Sequence, residues 1–176
     1  VGERIFVGGQ ISAEGAAVTV APGDVRTQTE NVYGFIQNVV EDAGGSLDDI
    51  VHVKICFKHG DGGDHELAQI LDITTATFRA PGPAVTAFGV DLLYPGLVLE
   101  IDAMAVIGGQ RKAIRVKDLG GRYQPAMFQD GIAAQGEIHS GGQVALGADG
   151  AVLAPGDVEK QAAIVFERLS KILAAA

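Results

Sequence analysis

Basic residues are scarce in this chain: 13 lysines and arginines stand against 22 aspartates and glutamates in 176 residues, a formal charge of −9 with a pI near 4.8. Nucleic acid and anionic membrane surfaces are bound by a basic face that neutralises phosphate, so neither is expected as a partner. Aromatic residues make up only 6% and tryptophan is absent, which also removes the basic, aromatic-rich surface of a typical nucleic-acid binder. Cysteine occurs once, as Cys56, and a single thiol forms no internal disulfide. No apolar run reaches the 18 or so residues of a membrane span, and no charged segment followed by an apolar stretch precedes the first strand. A cytoplasmic protein is the default expectation.

What the chain does contain is a core-forming composition, 47% hydrophobic and 20% charged, and an internal repeat. Residues 1–43 and 134–176 are related by a constant shift of 133 positions without a gap. Ile5, Gly8, Gly9 and Gln10 recur as Ile138, Gly141, Gly142 and Gln143, and Ala21-Pro22-Gly23-Asp24-Val25 recurs as Ala154-Pro155-Gly156-Asp157-Val158. Gln28 falls on Gln161 and Val32 on Val165. Solenoid units run to about 50 residues, so this longer period predicts two tandem domains: 1–107, then a linker over 108–121 carrying a strand-like Ala113–Val116, then 122–176 as the N-terminal half of a second domain. The second copy stops at Ala176, the partner of Ala43, and the chain is therefore expected to be part of a longer polypeptide.

Periodicity places the elements. Arg4–Ile11 and Ala17–Val20 are apolar segments around Ser12-Ala13-Glu14-Gly15, as in a hairpin. Asp24 is a good N-cap for a helix in which Val25, Val32, Phe35, Ile36, Val39 and Val40 keep helical spacing until Gly44-Gly45. Val51, Val53, Ile55 and Phe57 alternate with His52, Lys54 and Cys56, the period of a strand covered on one face. Asp64 is a candidate cap for a second helix with Leu67, Ile70, Leu71, Thr74 and Phe78 on one side, stopped before Pro81-Gly82-Pro83. Ala84–Val90 and Leu97–Ile107 complete a β-β-α-β-α-β-β order, an α+β sandwich with both helices on one sheet face.

Four strings then carry a resemblance: Phe6-Val7-Gly8-Gly9-Gln10-Ile11; Gly23-Asp24-Val25 with Gln28; Ala43 to Val51 around Gly44-Gly45-Ser46-Leu47-Asp48-Asp49; and Tyr94-Pro95-Gly96 through Asp102-Ala103. In this order and spacing they resemble the RidA/YjgF family over residues 4–107, with a second start at 122–176. The resemblance implies a chorismate-mutase-like α+β fold, homo-oligomers built from trimers of such domains, and small-molecule clefts between neighbours. It also implies hydrolysis of reactive enamines and imines of amino acids to 2-oxo acids and ammonia, with no metal and no organic cofactor. Although ribonuclease activity has been attached to the family's name, the acidic balance argues against it.

Imine hydrolysis needs an anchor for the substrate, a placed water and a group that manages a proton. Glu100 matches the family's glutamate and is the expected catalytic residue. Gly8, Gly9, Val85, Thr86 and Tyr123 are the expected ligand-contact positions, Tyr123 matching a tyrosine in the family's N-terminal Tyr-x-Pro element. The family's arginine, which would fork onto a carboxylate, follows a Pro-Ala pair; here Pro83-Ala84 is followed by Val85. The usual cysteine two positions on is Ala87, and an asparagine of the second helix falls on Leu71. Losing the arginine removes a few kcal/mol, roughly a hundredfold in carboxylate binding. Two functions follow: a divergent deaminase releasing ammonia from an altered substrate, and a noncatalytic small-molecule-binding or scaffold member of the family.

Each candidate has a plainer reading. Glu100 and Asp102, two apart on one strand face, fit an acid/base pair or a solvated strand face. His59, Asp61, Asp64, His65 and Glu66 are metal-ligand types, yet the spacing fits no zinc pattern, and no metal is expected. Cys56 reads as packing, Thr86 and Ser140 as strand residues or cleft hydroxyls, and His139 as structural. Gly8 and Gly9 read as points of close backbone approach.

Overall fold

The computed structural model describes residues 4–59, 63–108, 110–117, 119 and 128–176, with residues 63–65 described by backbone alone. The first half is an α+β sandwich. Strand β1 (Arg4–Gln10) leads to a small hairpin of β2 (Ala13–Glu14) and β3 (Val18–Thr19), helix α1 (Val25–Asp42), a 3-10 turn at Leu47–Asp49 and strand β4 (Ile50–Lys58). Helix α2 (Gly63–Thr77), β5 (Ala84–Val90) and β6 (Leu99–Val106) complete it. The sheet order is β1-β6-β4-β5, with β6 antiparallel to both β1 and β4 and β5 parallel to β4.

The expected second strand, Ala17–Val20, is absent from this sheet. Gly15, Ala17 and Ala21 all have left-handed φ, at 53°, 63° and 52°, which leaves too few extended residues between them for a ladder along β1. The two-residue pair Ala13–Glu14 with Val18–Thr19 forms instead, and β1 takes β6 as its partner.

Helix α1 starts where the Asp24 carboxylate accepts the Thr27 N–H at 3.0 Å, as the cap chemistry predicts. Its buried face is Val25, Gln28, Thr29, Val32, Tyr33, Ile36 and Val40. Phe35 and Val39, expected on that face, are partly exposed, because Tyr33 turns inward to stack edge-on with Phe78 at 5.5 Å and to hydrogen bond Thr74 Oγ1 at 2.7 Å. Helix α2 begins at Gly63, one residue ahead of Asp64, and buries Ile70, Leu71, Ile73 and Thr74, with Phe78 buried just beyond its end. Both helices cover the same side of the sheet, packing on Val7, Val53, Ile55, Phe57, Leu99 and Ile101. Val51 was expected in this set, but a bulge between Ile50 and His52 turns it to the opposite side, as an unpaired extra residue does.

Beyond β6 the chain forms a second sheet, β7 (Lys112–Ile114), β8 (Gly131–Ala134) and β9 (Glu137–Ser140), in the order β7-β8-β9. Strand β7 lies inside the stretch expected to be a linker and pairs with β8. Helix α3 (Val158–Ala174) follows. Val51, Ala84 and Val106 pack with Ile132 and Ala134, joining the two sheets.

Residues related by the shift of 133 make the same bonds. Asp157 accepts the Lys160 N–H at 3.0 Å, as Asp24 does with Thr27. Gln28 and Gln161 each donate to the carbonyl seven residues back, Ala21 at 2.8 Å and Ala154 at 3.1 Å. Gln10 and Gln143 each donate two residues back, to Gly8 at 2.9 Å and Gly141 at 3.2 Å. Ala21 and Ala154 have φ of 52° and 48°, an uncommon conformation for a residue with a Cβ.

Candidate functional site

The sheet face opposite the helices carries the polar residues. Strand alternation sets Glu100 opposite Cys56 and Asp102 opposite Lys54 in the β6–β4 pairing, and β5 adds Phe88 beside Cys56 and Thr86 beside Lys54. Lys54 Nζ sits 2.5 Å from Asp102 Oδ2, and this hydrogen bond raises the ammonium's pKa above its ordinary value. Asp102 is therefore engaged by Lys54. Burial pushes the Cys56 thiol up, with the nearby Glu100 and Asp102 carboxylates adding to the rise against the lowering by Lys54. A thiol so held is a poor nucleophile, in keeping with packing.

Glu100 lies directly over Gly9. A Cβ placed on Gly9 would overlap the carboxylate, with Glu100 Cδ 2.7 Å away, so a residue without a side chain is what lets the strand pass beneath this group. By contrast, a Cβ on Gly8 would meet nothing within 4 Å. The structure thus unites Glu100 with Gly9 at the β1–β6 side of the sheet.

Val85 and Thr86 are elsewhere. Their strand β5 is separated from β6 by β4, about 10 Å at two strand spacings. The Val85 side chain is buried in the helix-side core, on the opposite face from Glu100. What Val85 offers outward is its carbonyl, which accepts the Gly142 N–H at 3.0 Å. A Cβ on Gly141 would be 2.9 Å from Val85 O, and one on Gly142 would be 2.9 Å from Thr86 Cγ2. The second glycine pair therefore seats on β5, while Gly8-Gly9 stands at the other end of the same sheet.

Thr86 also meets His52, whose Nε2 is 2.9 Å from Thr86 Oγ1. His139 lies close by in β9. Among the described residues its Nε2 is buried without a hydrogen-bond partner, 3.4 Å from Glu137 Oε2, and Glu137 in turn pairs with Arg4. Burial lowers the pKa of both histidines, reinforced at His52 by His139 and Lys54 and at His139 by Arg4. Alternation did not single out His52, since one histidine on a strand carries no signal until its cross-strand neighbours are known. The docking of Gly141-Gly142 was likewise unforeseen, though the repeat marked both glycine pairs.

Tyr123 and Asp61 lie outside the described residues, as do the side chains of Asp64 and His65. The His59 ring backs onto Gly89, where a Cβ would lie 2.8 Å from that of His59. Among the described residues no group of three or more His, Cys, Asp or Glu side chains is arranged to hold a metal ion, and no helix is long and apolar enough to cross a membrane. Ser140 pairs with Gly131 at the end of β9. A surface cleft of about 520 Å³ lined by Asp48, Asp49, Arg79 and Arg111 lies where the chain leaves β6. There the buried Arg111 guanidinium donates to Ile50 O at 3.0 Å and Arg79 O at 3.2 Å.

Fold and site together define an α+β domain whose polar sheet face is completed by neighbouring structure. The model of the endoribonuclease L-PSP family matches residues 1–107, and the chain belongs to this family, that of the RidA/YjgF proteins. A RutC family protein of Pyrococcus abyssi is 31% identical over 105 residues, 60% of this chain and 80% of the relative. A 2-iminobutanoate/2-iminopropanoate deaminase of Dermatophagoides farinae is 26% identical over 107 residues, 61% of this chain and 80% of that protein. The crystal structure of RidA from an Antarctic Psychrobacter is 28% identical with a TM-score of 0.52, covering 61% of this chain and 83% of the other.

Proposed function

We propose that the protein is a divergent hydrolytic deaminase that releases ammonia from an enamine, imine or related small molecule. The observation that carries this reading is the Glu100 carboxylate held over the bare Gly9 backbone on the polar sheet face. In the reaction Glu100 takes a proton from water as the water oxygen bonds to the electrophilic C=N carbon. That proton passes to the nitrogen to give the carbinolamine, whose hydroxyl proton then moves by way of Glu100 to the amine as the C–N bond breaks, and ammonia and an oxo compound leave. With Val85 in the core and Leu71 buried on α2, two of the family's polar positions belong to packing, which favours a substrate less anionic than a 2-imino acid.

The separation of Glu100–Gly9 from Val85–Thr86 supports a cleft completed by two domains. Because the Gly141-Gly142 turn seats on β5, Gly8-Gly9 is the matching edge for another domain. Tandem domains assembled in threes, in a cytoplasmic protein, form part of this proposal. Light scattering on the purified chain tests the assembly.

The burial of Val85 and Leu71 also favours a second reading, a noncatalytic small-molecule-binding member of the family. The test is ammonia and oxo-compound release from 2-imino acids generated in situ by an amino-acid oxidase and from uncharged imines generated by an amine oxidase. Acceleration that falls about a hundredfold or more in Glu100→Gln supports the deaminase. Saturable binding without turnover across the panel supports the alternative and refutes the first reading.

A further inference from the structure

Helix α3 stands at the shift of 133 from α1, with Val158, Gln161 and Val165 at the places of Val25, Gln28 and Val32, but exposes the face that α1 buries. Val25, Tyr33 and Val40 of α1 are 8%, 3% and 0% exposed; at the shift of 133 their counterparts Val158, Phe166 and Leu173 are 78%, 69% and 58% exposed. Val165 and Leu169, matching the buried Val32 and Ile36, are only partly buried. These five positions fall at i, i+7, i+8, i+11 and i+15, one continuous stripe along a helix. The helix holds to the second sheet by a different side. Ile172 packs against Ile114 and Leu119, and the Arg168 guanidinium donates to Val144 O at 2.6 Å and to Leu146 O. The equivalents of these two residues on α1, Phe35 and Val39, are the ones that face outward.

A contiguous apolar stripe left in water marks an interaction surface, and α1 shows what fits it. The α1 stripe is covered by one side of β4 and β6 together with α2, and Gln28 ties it to the loop ahead of β6. Gln28 Nε2 donates to Gly96 O at 2.8 Å and its Oε1 accepts the Val98 N–H at 3.0 Å. Gln161 keeps the bond to Ala154 and donates also to Leu153 O at 3.2 Å, which leaves it at the position to receive such a loop.

We infer that the Val158–Leu173 stripe of α3 is the packing surface for a β-sheet unit built like Ile50–Val106, strand, helix and two strands, whose loop before the last strand ends on Gln161. A second copy of the first domain cannot supply it, because the matching side of its sheet is already covered by its own α1 and α2.

The test lengthens the chain after Ala176 by its own residues 44–107, which gives α3 the same spacing to an added strand as α1 has to β4, since Ala43 and Ala176 are equivalent at the shift of 133. Amide hydrogen exchange over 158–173 and fluorescence of an apolar dye are compared with those of the 176-residue chain, its Phe166→Asp/Leu173→Asp variant, and a chain lengthened by the same residues scrambled. Exchange slowed at least tenfold, with dye signal falling to that of the double variant and neither change from the scrambled extension, is expected. Exchange and dye signal unchanged by the native-order extension, whether or not the added residues fold, overturn the inference. So does a dimer of the 176-residue chain that the double substitution disperses, because the face would then belong to a second copy.

Discussion

The contact between Gly9 and Glu100 gives a prediction whose sign depends on its partner. In Gly9→Ala the new Cβ collides with the flexible end of Glu100, and driving that side chain off its rotamer costs about 0.5–1.5 kcal/mol. Gly9 is not among the residues with left-handed φ, so alanine also reduces the freedom of the unfolded chain and contributes about 0.4–1 kcal/mol of stability. In the native background the net effect lies between a gain of about 0.5 kcal/mol and a loss of about 1 kcal/mol. In a Glu100→Ala background the collision disappears and Gly9→Ala stabilises by about 0.4–1 kcal/mol. Urea unfolding of the four proteins, compared at constant m, should therefore give a coupling of about 1 kcal/mol, beyond the roughly 0.3–0.5 kcal/mol scatter of independent sites. Equal effects of Gly9→Ala in both backgrounds would refute the placement of the carboxylate over Gly9. If imine hydrolysis is detected, Gly9→Ala should lower it in the same direction as Glu100→Ala.

Three further outcomes follow from buried polar groups. Gln28→Leu removes the acceptor of the Val98 N–H and the donor to Ala21 and Gly96, and the stranded amide makes a loss of about 2–4 kcal/mol the expected result in urea. Tyr33→Phe should cost about 1 kcal/mol, since the Thr74 hydroxyl keeps its bond to Ile70 O at 2.7 Å. Burial holds the Tyr33 phenol well above its usual value of 10.0, so the folded protein keeps this proton above pH 10 while the unfolded chain loses it. Stability that falls as pH rises past 10 in the native protein should accordingly fall less in Tyr33→Phe. His52 and His139 are both held below the ordinary 6.5 by burial first, so their contribution is present above pH 6.5 and is lost as pH falls below it, where the unfolded chain binds protons more readily. His139→Val should reduce that acid loss in thermal melts at pH 5 against pH 7.5, and an unchanged difference would exclude His139 as a source.

Residue order alone determined a good part of this architecture. The Asp24 cap, the α1 and α2 stripes and the alternation of β4 are local patterns, fixed by the periods of helix and strand, and they survive in the fold at Val32, Ile36, Ile70, Val53 and Ile55. The pairing of Glu100 with a strand face opposite the core follows from the same alternation. Tertiary structure decided what local pattern does not encode. A bulge moved Val51 to the other face, left-handed residues at Gly15, Ala17 and Ala21 kept Ala17–Val20 out of the sheet, and Tyr33 displaced Phe35 from the core. Strand order separated Glu100 from Val85, because which strands neighbour one another is set by long-range packing and not by spacing along the chain. For the same reason the repeat showed that Gly8-Gly9 and Gly141-Gly142 are alike, while only the assembled sheets showed that one pair cradles a carboxylate and the other seats on β5.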